Sequence, residues 1–97
     1  MNEIEKLQKK LIELTKRHLD VSGYGKLFEP TLTIGIDNEL KWFAEIYSYQ
    51  MDFHTGGRHH YFYADSFDEL IEILWDAVKK EEEKLIEIEK VNGQDGN

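Results

Sequence analysis

Apolar residues recur at spacings of three and four near the start of the chain. Ile4, Leu7, Leu11 and Leu14, followed by His18, share one face of an α-helix. Asn2, with Glu5 three positions on, offers a cap for its first turn. The stretch DVSGYGKLFEP, Asp20 to Pro30, closes the pattern. Gly23 and Gly25 admit helix-ending geometry, and Pro30 disfavours helix at Glu29.

From Thr31 the period falls to two. TLTIGID alternates Thr31, Thr33 and Gly35 with Leu32, Ile34 and Ile36, the pattern of a half-buried strand. Asp37, Asn38 and Glu39 form a turn signal. Leu40 to Phe53 reads as one long strand-forming run, Gly56–Gly57 as a second turn, and Arg58 to Ala64 as a third strand. A three-residue first turn sets Ile36 opposite Leu40, Ile34 opposite Trp42 and Leu32 opposite Ala44. That match makes the even positions the core face. Near Tyr47 the odd positions Tyr47, Tyr49, Met51 and Phe53 become the more apolar set, so a bulge that switches faces stays open.

Ser66 and Glu69 have capping-box spacing, and Phe67, Leu70, Ile71, Leu74, Ala77 and Val78 continue as an apolar helical face to about Lys90. The expected fold is α+β: a three-stranded antiparallel meander with two helices packed on one face, in the order α-β-β-β-α. Residues 1–91 form a single domain and 92–97 a flexible C-terminal tail. The second helix outruns the sheet. Its late apolar residues Leu85, Ile86 and Ile88 then meet Ile4 and Leu7 of the first helix, or else a second subunit, leaving monomer and homodimer both open.

Charge narrows the function. The chain has 97 residues, a net charge of −8 and no cysteine. Disulfides and thiolate chemistry are excluded, and an acidic surface disfavours nucleic acid and anionic membranes while favouring a protein partner with a basic surface. The charged N-terminus MNEIEKLQKK lacks a signal-peptide core, and no apolar run is long enough to span a bilayer, so a cytoplasmic location is expected.

Three clusters carry candidate chemistry. HTGGRHHYFY, His54 to Tyr63, gathers three histidines about a glycine turn. Neighbouring strand residues point to opposite faces, so His59 and His60 do not share an ion, whereas His54 and one of them could meet across the hairpin with Asp52. Tyr47, Tyr49, Tyr61 and Tyr63, with Arg58 and His59, compose an aromatic surface on the sheet side that two helices leave open. Asp68, Glu72, Asp76, Glu83 and Glu87 form an acidic stripe on the second helix. Ser22, Ser48 and Ser66 lack a nucleophile context, and GYGK, Gly23 to Lys26, matches no phosphate loop. No enzyme, metal or cofactor is expected.

Helix, three strands, helix over about residues 2–90 resembles the double-stranded-RNA-binding domain in topology. That family grips phosphates with a lysine-rich start to its second helix. Here the start reads DSFDELIE, with Asp65, Asp68, Glu69 and Glu72 and no base, so RNA binding is not implied. In size and acidity the chain also resembles small proteins of phages and mobile elements, including anti-CRISPR proteins, some of which mimic DNA. The combined expectation is a non-enzymatic inhibitor that engages a basic nucleic-acid-binding protein. Its contacts would be the acidic helix and the tyrosine-rich face. The alternatives are single-stranded nucleic-acid binding on that face and a metal-dependent activity at the histidine hairpin.

Overall fold

The computed structural model describes residues 2–23, 28–53 and 56–95, the side chains of 93–95 excepted. Its elements are α1 (Glu3–Ser22), β1 (Thr31–Ile36), β2 (Trp42–Tyr47), β3 (His59–Ala64) and α2 (Phe67–Asp95). The strands form an antiparallel meander in the order β1-β2-β3. The α+β fold in the order α-β-β-β-α is therefore present as the hydrophobic periods require.

Local chemistry sets the ends. The Asn2 side chain accepts from Glu5 N at 2.8 Å, and Gly23 closes α1 at φ 73° with its N–H on Leu19 O. Ser66 Oγ accepts from Glu69 N at 3.2 Å, opening α2. That helix passes the expected end near Lys90 and continues to Asp95, and Asn92 on its flank donates to Val21 O at 3.2 Å.

The sheet register differs from the expected one by two residues. Ile36 faces Trp42, Ile34 faces Ala44 and Leu32 faces Ile46. The reason is the turn. Asp37 N donates to Lys41 O, Leu40 N donates to Asp37 O, and Asp37 Oδ1 accepts from both Glu39 N and Lys41 N. The loop is thus Asn38–Glu39–Leu40, with Leu40 in the left-handed region at φ 64°. A shift of two keeps every side chain on its face, so the even positions still form the core. The long run to Phe53 is not one strand. β2 ends at Tyr47, and Met51 and Phe53 turn inward and bury from the connection.

The inner sheet face presents rows Leu32–Ile46–His60, Ile34–Ala44–Phe62 and Ile36–Trp42–Ala64. Both helices cover this side, and Leu7, Leu11, Leu14, Leu70, Leu74, Val78 and Leu85 join Ala44, Ile46, Met51 and Ala64 in one core. The helices run parallel. Trp75 Nε1 donates to Glu3, Lys10 Nζ to Glu82, and Arg17 to Glu89, each pair 72 residues apart. Leu85 therefore packs beside the second half of α1, not against Ile4 and Leu7, which lie a full helical stretch earlier. Only a parallel pair keeps one sequence offset along its length, because both helices rise by about 1.5 Å per residue.

The seam has a seven-residue period. Leu7, Leu11 and Leu14 of α1 and Leu74, Val78, Glu81 and Leu85 of α2 are buried at the a and d positions of a coiled coil, and Ile4, His18, Val21, Ile88 and Asn92 continue the same spacing toward its more exposed ends. Glu3, Lys10 and Arg17 are then g positions, and Trp75, Glu82 and Glu89 are e positions. The flanking pairs Lys10–Glu82 at 2.7 Å and Arg17–Glu89 at 2.6 Å fix the helices' direction and register.

Candidate functional site

Strand alternation places every odd position on the outer sheet face. The register arranges these as three rows: Thr31–Tyr47–His59, Thr33–Glu45–Tyr61 and Gly35–Phe43–Tyr63. Among the described residues no element covers this side. Tyr61 and Tyr63 are 52% and 55% exposed.

One rim of this face is a stack. Phe28 lies on Tyr49 with ring centroids 4.4 Å apart, and the Arg58 guanidinium carbon sits 3.9 Å above the same tyrosine ring. Tyr49 meets Tyr47 edge-on at 5.7 Å, and Tyr47 meets His59 at 4.9 Å. The structure thus brings together Tyr47, Tyr49, Arg58, His59, Tyr61 and Tyr63. Sequence reasoning missed Phe28, which lies far along the chain, and Glu45, whose position depends on the register.

Glu45 stands in the middle row of the middle strand. Its Oε2 is 3.2 Å from His59 Nδ1, and the Tyr61 hydroxyl is near enough to act on its carboxylate. The Tyr61 hydroxyl first, and His59 second, hold the Glu45 carboxyl below its ordinary pKa, while the carboxylate in turn pushes the Tyr61 phenol up. The neighbouring Tyr49 raises the Tyr47 phenol likewise. The β1 side of the face is low. It carries only Thr31, Thr33 and Gly35, and the Phe43 ring occupies the space above Gly35, where an added Cβ would lie 2.9 Å from it.

The acidic stripe lies elsewhere. Asp68, Glu72, Asp76 and Glu83 are exposed on the side of α2 opposite its buried Leu70, Leu74, Val78 and Leu85, as is Glu87. Because α2 packs on the inner sheet face, this stripe points away from the tyrosines. Asp76 pairs with Lys80 at 3.0 Å and Glu87 with Lys90 at 3.5 Å.

The histidine hairpin divides. His54 lies outside the described residues, as do Tyr24, Gly25 and Lys26 of the GYGK stretch. His59 is on the outer face, whereas His60 is buried on the inner one, 5.1 Å from the Phe53 ring. Asp52 instead accepts from Lys84 Nζ at 2.7 Å, and Lys84 also pairs with the buried Glu81. Among the described residues no three histidine or carboxylate side chains are placed to hold one metal ion, and no helix is long and apolar enough to cross a membrane.

No family model matches the chain, and comparisons with curated proteins and with solved structures returned no match.

Proposed function

We propose that this chain is a non-enzymatic protein-binding domain and that the outer sheet face is its contact surface. One observation carries the reading: a stack of Phe28, Tyr49, Tyr47 and His59 with Arg58, and the exposed Tyr61 and Tyr63, share the uncovered side of the sheet. Aromatic residues and arginine are the residues that anchor protein interfaces: tyrosine rings bring large contact area at low cost in rotamer freedom, and the planar guanidinium both stacks and donates hydrogen bonds. The chain's net charge of −8 favours a partner with a basic surface, which includes a nucleic-acid-binding protein and fits an inhibitor of one.

The acidic stripe of α2 supports this reading differently from the tyrosines. It faces the other way, so a partner seated on the sheet does not touch it. Its part is long-range attraction, which speeds encounter more than it tightens the complex.

The test compares a photocrosslinker at Tyr63 with one at Lys79 on the exposed side of α2. Protein adducts that depend on the Tyr63 site and vanish in Tyr61→Ala support the reading. Binding of single-stranded DNA or RNA in fluorescence anisotropy, abolished by the same Tyr61→Ala change, would replace it with nucleic-acid recognition on the same face.

A further inference from the structure

Among the described strand residues the outer face carries one carboxylate, and the strand register puts it at the centre. Glu45 is flanked along β2 by Phe43 and Tyr47 and across the sheet by Tyr61 on one side and Thr33 on the other. The tyrosine side carries the larger side chains, whereas the β1 side carries Thr31, Thr33 and Gly35, with the Phe43 ring over Gly35, so the approach to Glu45 runs past the threonines. The Glu45 side chain is 26% exposed, so it is reached from solvent at the base of this trough. A carboxylate has about four lone-pair directions. The His59 hydrogen bond uses one, which orients the group and leaves acceptor capacity.

We infer that this trough is a guanidinium site: Glu45 receives an arginine side chain of the protein partner, which lies flat against the neighbouring tyrosine rings. The inference rests on the proposed protein-binding role and names the group recognised. The ligand chemistry follows from complementarity. A central anion excludes phosphate and carboxylate. A surface of tyrosine rings favours a planar, weakly hydrated cation over an ammonium, because the guanidinium both stacks and donates two parallel hydrogen bonds. The same face already holds one guanidinium in this manner, Arg58 over Tyr49 at 3.9 Å. Tyr61 acts as a positioning residue, since it stands directly across from Glu45 and its hydroxyl acts on the carboxylate.

The test uses two peptides of equal length and charge, one alternating glycine with arginine and one glycine with lysine. Each is titrated into the intact protein and followed by amide NMR shifts. The expected result is shifts concentrated at residues 43–47 and 58–63, with the arginine peptide binding about tenfold more tightly, the range of one charge-assisted pair with ring stacking. Glu45→Gln keeps the shape and abolishes the preference. Tyr61→Phe keeps the ring and reduces the preference. A variant with Asp68, Glu72, Asp76 and Glu83 changed to their amides retains it.

Equal affinity for the two peptides overturns the guanidinium site, as do shifts confined to the α2 stripe or an unchanged preference in Glu45→Gln. The crosslinking at Tyr63 then decides the broader reading separately. Protein adducts there leave it standing, whereas binding of nucleic acid in place of protein removes both.

Discussion

Arg17 and Glu89 meet through two parallel hydrogen bonds, Nε to Oε2 at 3.0 Å and Nη2 to Oε1 at 2.6 Å, while Arg17 Nη1 reaches Glu82 at 2.7 Å. One guanidinium thereby clamps two turns of α2 to α1. Isolated surface pairs contribute little, but a forked pair within a network contributes more. Arg17→Ala is expected to cost about 1 kcal/mol, a fall of roughly 4–8 °C in the thermal midpoint of a domain this size. Glu82→Lys should be worse, since it places a third cation beside Lys10 and Arg17. The exchange Arg17→Glu with Glu89→Arg should recover part of the loss, and thermal melts of the set check this.

Leu85 tests the parallel arrangement of the helices. It is fully buried although it lies beyond the reach of six-residue strands. Leu85→Ala should cost about 2–5 kcal/mol, the range for a core leucine, by denaturant unfolding. An exposed apolar helix end would lose almost nothing.

Leu40 is a place where the fold can be improved. It sits at φ 64° and is 82% exposed, so its side chain contributes no packing to offset the left-handed backbone. Leu40→Gly should stabilise by about 0.5–1 kcal/mol, the difference between the left-handed penalty of about 1–2 kcal/mol and glycine's entropy in the unfolded chain. A higher urea midpoint with an unchanged slope is the expected reading.

Acid should weaken the fold in two stages. Burial lowers the His18 and His60 pKa values below 6.5. The unfolded chain therefore binds more protons there, and stability, full above about pH 6.5, declines as the pH falls toward the folded values. Glu82 and Glu89 have pKa values depressed below 4.5, by hydrogen bonds from Lys10 then Arg17 and from Arg17 respectively. Their contribution is present above about pH 4.5 and is lost as the pH drops through the depressed values. His60→Phe should shrink the first stage to the share of His18 and leave the second, as read from urea midpoints between pH 8 and 3.

Neutralising Asp68, Glu72 and Asp76 together separates attraction from contact. The association rate of a basic partner should fall and lose salt dependence, while the dissociation rate stays near its original value. An equal change in dissociation would place the stripe inside the contact.

The order of elements was legible because the hydrophobic period changes from 3.6 to two at Thr31 and back after Ser66. The even face was legible because Leu32, Ile34 and Ile36 alternate without interruption. Register was not, since it depends on a leucine taking a conformation that favours glycine or asparagine. Met51 and Phe53 misled because an apolar residue folded in from a loop reads like one on a strand. The heptads of both helices were in the sequence, but which helix they serve is a long-range matter that only the ion pairs settle. The tyrosines were visible as a group. Glu45 emerged as their centre only once the strands were paired.

The separation of 72 residues between paired helix positions also has a meaning in time. At about 5–20 residues per second, α1 leaves the ribosome roughly 4–14 s before the stretch of α2 that matches it. Through that interval Leu7, Leu11 and Leu14 lack their main cover, while the meander between, built from near neighbours in sequence, can already close. The part of the chain made early is therefore among the last to settle, and each nascent molecule passes through a stage in which a bare leucine stripe is open to chaperones.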